Sequence, residues 1–181
     1  MASAFAHAVA SVAIGKLSFL QKVDWKFWAL GAFCAIIPDA DVLAFKFGIP
    51  YESMWGHRGI THSLFFAVLL GLLVWFIFYR QEKLSTLRGA FILLFFILAT
   101  ASHAVLDAMT TGGLGIAFFA PFHNERYFFA FRPIDVSPIG ITNFFSEWGW
   151  RVVKSEFIWV GIPSLIIMVG TTIIRKLFSK A

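Results

Sequence analysis

Charge is scarce in this 181-residue chain: acidic and basic side chains make up only 14 % of it, against about 25 % in an ordinary soluble domain. Together with 59 % hydrophobic residues, that deficit excludes a domain solvated on every side, and lipid is the simplest medium that tolerates it. Cysteine is nearly absent. Cys34 stands alone, so no internal disulfide forms, and its apolar surroundings read as those of a small buried hydrophobe. Clustered basic residues are also missing. The net charge is +5, but the bases are scattered singly rather than gathered into a stripe, which argues against nucleic acid as a partner. The N-terminus has no basic n-region and no small-residue cleavage site after an apolar core, so its first apolar stretch is expected to stay as a helix. With no internal repeat, low-complexity tract or linker, residues 1–181 read as one domain.

What is present is long apolar runs, at 63–79, 89–101 and 157–174. The first and third are each near the ~20 residues that cross a bilayer core. The second reaches that length only with His103 and Asp107 counted in its last turn. Twenty-three Phe and seven Trp suit lipid-facing surfaces and interfacial belts. The expected fold is an all-α integral membrane bundle of about five hydrophobic segments, 4–20, 25–45, 62–79, 88–109 and 157–174. The first and second of these are interrupted enough that a full crossing is in question. Between the fourth and fifth runs a connection of roughly 45 residues, long for an ordinary loop and therefore functional or packed as a cap. Residues 146–155 within it, with Trp148 and Trp150 among charges, read as a short interfacial helix, and Glu147 and Glu156 as interfacial acids.

The bases orient the bundle. If the first segment starts outside, the inner connections hold Lys16, Lys22 and Lys26, then Arg80, Lys83 and Arg88, then Arg175, Lys176 and Lys180, opposed only by Asp24 and Glu82. An excess of Lys and Arg marks the cytoplasmic side. This predicts a multi-pass protein of the cell inner membrane with a cytoplasmic C-terminus and the long loop on the outer, periplasmic side.

That topology carries His7, Asp39, Asp41, His57, His62, His103 and Asp107 to one outer face. Ionisable groups at the edge of a membrane segment are costly and tend to mark function, and several acids buried together repel unless a cation joins them. His103 and Asp107 stand at i and i+4 and share a helix face. Pro38-Asp39-Ala40-Asp41 ends an apolar run, and its plainer reading is a turn with an Asp helix cap. His57-Arg58-Gly59-Ile60-Thr61-His62-Ser63 sets two imidazoles around an arginine and a turn glycine, with Thr61 in place to cap the next helix. His7, Asp39, His57, His62, His103 and Asp107 are thus the candidate metal ligands. Asp41 is a candidate base or orienting group, and Arg58 a candidate anion clamp, since its fork suits a phosphate or carboxylate. Ser102, Thr110 and Thr111 are candidate supports for ligands. His123 reads as a solvated loop histidine.

Taken together, Pro-Asp-x-Asp, His-Arg-Gly-x-Thr-His-Ser and Ser-His-x-x-x-Asp-x-x-Thr-x-x-Gly resemble the YdjM-like family of inner-membrane proteins, grouped as metal-dependent hydrolases. The resemblance runs from about His7 to Pro121, with His57–Ser63 its most specific block. A weaker likeness, to the zinc-dependent phospholipase C and nuclease group, lies in the order of an early His, an Asp, a further His and a His-x-x-x-Asp pair. The later His-x-x-x-Glu pair of that group is missing here, which leaves one or two ions rather than three.

The resemblance implies hydrolysis by a metal-activated water. Zinc is the expected ion, with manganese or iron allowed by mixed N/O ligation. A lipid or other phosphate-bearing headgroup at the interface is the expected substrate and partner. Two alternatives belong to other classes. A metal-ion or proton transporter needs ionisable groups through the membrane depth, which the inner halves of the third and fourth segments lack. A non-catalytic membrane partner with a structural metal needs a closed ligand set.

Overall fold

In a computed structural model, residues 1–18, 20, 23–138 and 145–178 are described; Lys22 and Lys180 of the inner basic clusters lie outside them. Helix α1, Ala4–Leu17, is capped by the Ser3 hydroxyl. Helix α2, Trp25–Ile36, is capped by Asp24 and runs without a break into a 3-10 segment, Ile37–Phe47. Proline lacks an N–H and clashes with the preceding turn, so tightening of the helix at Pro38 has a local cause. Asp39 and Asp41, two residues apart at three residues per turn, then point to different faces. A short 3-10 turn, Ile60–His62, leads into α3, Leu64–Tyr79. The cap of α3 is Ser63, whose hydroxyl accepts from Phe66 N at 3.0 Å. The Thr61 hydroxyl, expected as that cap, goes elsewhere. Helix α4 is Leu87–Ala108.

Helix α5, Glu147–Glu156, passes through one π turn, Phe157–Gly161, into α6, Ile162–Phe178. The separate interfacial helix expected from sequence is therefore the first third of one continuous rod. Among the described residues there are no strands, only isolated bridges.

Three of these helical stretches are long and apolar enough to cross a membrane: Trp25–Phe47, Leu87–Ala108 and Glu147–Phe178. The second segment, interrupted in sequence, is one of them, because the 3-10 segment continues its axis. Helices α1 and α3 are apolar but shorter. Their 14 and 16 residues rise about 21 and 24 Å, less than the ~30 Å hydrocarbon core.

Helix α4 sits centrally against α1, α2 and α3. Phe27, Ile92, Phe95 and Phe96 form the core where they meet. Gly31 admits the Phe95 ring so closely that a Cβ there would lie 2.3 Å from its Cζ; small residues let membrane helices approach this way. At one end of the bundle Arg175 donates to Lys16 O and Ser18 O, Tyr79 to Asp24, and Arg88 to Glu82. Among the described residues, the three basic connections thus share one end. His7, Asp39, Asp41, His57, His62, His103 and Asp107 gather at the other. There the long connection packs as a cap: Leu64 N donates to Phe118 O, Ala117 N to Arg58 O and Thr111 N to Ile134 O.

Candidate metal centre

Three elements bring four side chains to a common point. The 3-10 segment after α2 supplies Asp39, the turn before α3 supplies His62, and the last turns of α4 supply His103 and Asp107. One donor atom from each lies within 4.8 Å of every other. His62 Nε2 and His103 Nε2 are 3.0 Å apart. Asp39 Oδ1 is 3.3 Å from His103 Nε2 and 3.6 Å from His62 Nε2. Asp107 Oδ2 is 3.7 and 4.0 Å from the same two nitrogens.

The tautomers follow from the far side of each ring. His103 Nδ1 lies 2.7 Å from the Ala35 carbonyl, which only accepts, so Nδ1 carries the proton. His62 Nδ1 faces Asp41 Oδ2 at 3.2 Å and the Thr61 hydroxyl at 3.1 Å, and the carboxylate likewise requires a donor. With Nδ1 protonated on each ring, the two Nε2 atoms face each other, an arrangement satisfied by a metal ion between them or by a proton on one of them. Among the described residues, Asp39 Oδ1 and Asp107 Oδ2 have no hydrogen-bond partner although they are buried. Buried polar atoms are normally paired. Two facing imidazole nitrogens and two buried carboxylate oxygens without a hydrogen bond make a donor set that a divalent ion uses.

A tetrahedral ion with ligands at 2.0–2.2 Å sets its donors about 3.4 Å apart. The five separations that involve an imidazole nitrogen, 3.0 to 4.0 Å, bracket that value. A proton competes for the same atoms. Burial lowers the His62 pKa, but the Asp39, Asp41 and Asp107 carboxylates outweigh it and hold the imidazole at about 9.

Asp41 lies behind this group. Its Oδ1 accepts from His57 Nδ1 at 2.6 Å, and its Oδ2 accepts from the Thr61 hydroxyl at 2.6 Å and from Arg58 N at 3.1 Å. A histidine that ligates a metal typically donates its other nitrogen to such a carboxylate, and Asp41 does this for His62. Asp41, His57 and His62 also form a second group with ligand-like spacing, but its short contacts are already hydrogen bonds. His57 stands in that support layer, outside the four-donor group. His7 is fully buried and stacks on His103, with ring centroids 3.8 Å apart and planes at 16°. Its Nε2 is 3.5 Å from Asp107 Oδ1, and neither ring nitrogen has a hydrogen-bond partner among the described residues.

Arg58 departs from the sequence expectation of a guanidinium free for an anion. It is fully buried. Nη1 donates to Gly112 O at 2.7 Å, Nη2 to Thr110 Oγ1 at 3.0 Å, and Nε lies 3.3 Å from Asp107 Oδ2. Its backbone is left-handed, with φ of 63°, uncommon for a residue with a Cβ. Gly113 makes room for it. With φ of 93°, Gly113 would place a Cβ 2.5 Å from Arg58 Nη1. Gly113→Ala is therefore expected to cost more than ~1 kcal/mol, because a conformation only glycine adopts readily is lost and the guanidinium is pushed off Asp107. Unfolding in mixed micelles reads this; an unchanged midpoint would show that the Arg58 seat tolerates displacement.

Of the other expected supports, Thr110 holds Arg58 and Thr111 accepts from Val136 N, while the Ser102 hydroxyl bonds its own helix at Ala99 O. His123 is exposed and belongs to neither group. Sequence reasoning missed Arg126, whose Nη1 donates to His57 O and whose Nη2 donates to Tyr51 O and Ser53 O, pinning the loop that carries Arg58. It also misjudged Glu156. That carboxylate is buried and accepts from Ser3 N and from the Ser3 hydroxyl. A lone acid at the start of an apolar run was the available signal.

The chain matches the family described as YdjM inner membrane protein over residues 1–178. It is 36 % identical over 168 residues to inner membrane protein YbcI of Escherichia coli (strain K12), covering 93 % of this chain and 95 % of that one. No solved structure matches.

Proposed function

We propose that this chain, which belongs to the YdjM family of inner membrane proteins, is a metal-dependent hydrolase acting at the membrane interface on a phosphate ester of a lipid or lipid headgroup. The carrying observation is the convergence of His62 Nε2, His103 Nε2, Asp39 Oδ1 and Asp107 Oδ2 on one point. One ion, zinc by preference for two nitrogens and two oxygens, suits that set. When bound it supplies a Lewis acid and a water acidified to a pKa near ~7.

The chain's own groups do the rest. Asp41 keeps the Nδ1 proton of His62, so that Nε2 faces the centre, and through His57 it ties the turn in place. Arg58 positions Asp107. His7, stacked on His103 with both nitrogens unpartnered among the described residues, is placed to take or give a proton at Nε2. Asp39, with its side chain 10 % exposed, marks the side from which substrate enters.

The test uses zinc-loaded protein in nanodiscs containing phosphatidic acid and phosphatidylglycerol, with released phosphate and headgroup measured. Turnover abolished by a chelator and restored by zinc is expected. A bound ion without turnover would support the second reading, a non-catalytic membrane partner in which the four residues close the ligand set and leave no position for water.

The excess of Lys and Arg in the inner connections supports a periplasmic metal centre and a cytoplasmic C-terminus. In a Cys34→Ala background, Lys83→Cys is expected to resist an impermeant thiol reagent added to intact cells, while Phe122→Cys in the cap reacts. Labelling of Lys83→Cys alone would reverse the orientation.

A further inference from the structure

A groove of about 320 Å³ runs between α1 and the α5–α6 rod. Phe5, Ala6 and Val9 form one wall, and Val153, Phe157 and Val160 the other. Phe5 and Phe157 are 73 % and 64 % exposed, so the groove opens on the lipid-facing surface of an inner membrane protein and is continuous with it. Its polar lining is Ser3 and Glu156, and these two are bonded to each other. The chain then links groove to metal centre within one residue. Ser3 N donates to Glu156, and Ala2 N donates to Asp107 Oδ1 at 2.6 Å. The π turn Phe157–Gly161 lies along the groove; such turns are rare and often occur at functional sites.

We propose that this groove holds one alkyl chain of a membrane amphiphile whose polar head lies at the Asp39–His62–His103–Asp107 centre. The proposal rests on the hydrolase reading for the fate of the head, but occupancy of the groove does not depend on turnover. In lipid, apolar helix faces gain little from burial against each other. A concave apolar face there is filled by an alkyl chain, and the Ser3–Glu156 pair in its lining, one residue from the Ala2–Asp107 contact, favours a molecule with a polar head at that end.

The experiment is photo-crosslinking in nanodiscs with a phosphatidylglycerol that carries a diazirine in one acyl chain. Adducts are expected on Val9 and Val160 in clear excess over the outward face of α6 at Ile166 and Ile173, which are 67 % and 53 % exposed and report ordinary lipid contact. Val9→Trp and, from the opposite wall, Val153→Trp fill the groove. Both residues are 38 % exposed, and each variant should lower groove labelling several-fold while leaving α6 labelling unchanged. Labelling equal to that of α6, or unaffected in whichever of the two variants folds, overturns the proposal. Groove labelling without any hydrolysis would leave it standing and overturn only the hydrolase reading; hydrolysis with uniform labelling would do the reverse.

Discussion

His103→Ala is expected to purify with background metal, and the wild-type chain with one ion. His103 gives its Nε2 to the centre, and Ala35 O fixes its ring from behind. Its removal takes away one donor and the partner on which His7 stacks. Because a buried imidazole is also lost, His103→Gln is the control for folding: its amide can still donate to Ala35 O, yet it offers no imidazole lone pair. Loss of metal in both variants, with His103→Gln still membrane-inserted and monodisperse, is the predicted outcome. Metal at wild-type level in either would remove His103 from the ligand set. Asp41→Asn should act more gently, since losing a carboxylate behind a ligating histidine typically lowers metal affinity ~10–100-fold.

The second large effect is at Arg58. Arg58→Ala leaves Asp107 buried without its guanidinium and frees the acceptors on Gly112 and Thr110. Breaking one side of a buried ion pair costs about 3–5 kcal/mol, and that is the expected destabilisation in the presence of a chelator. Metal compensates the same carboxylate, so the loss should shrink when the protein is loaded. Arg58→Gly should recover roughly 1 kcal/mol relative to Arg58→Ala, since glycine carries no penalty at a φ of 63°. Equal losses with and without metal would separate Arg58 from the centre.

Much of this was legible in the sequence because membrane segments make ionisable residues conspicuous. His103 and Asp107 at i and i+4 on an apolar helix could share only one face, and α4 carries them as a pair. Asp39 and Asp41 were visible as a doublet, but not their division of labour. That depends on the 3-10 geometry after Pro38, which sends one carboxylate to His103 and the other to His57 and Thr61. Arg58 was misjudged for a related reason. Its acid partner lies 49 positions away, on a helix whose packing no local pattern encodes. Glu156 and Ser3 are 153 positions apart, and only the contact of α1 with the α5–α6 rod joins them.

X-ray absorption at the metal edge of the zinc-loaded protein tests the account most directly. Two imidazole nitrogens, two carboxylate oxygens and one water oxygen at about 2.0–2.2 Å, with the outer-shell scattering of two histidine rings and no sulfur, is the predicted spectrum. A shell containing sulfur, a six-oxygen shell without imidazole, or a spectrum unchanged in His103→Gln would contradict it.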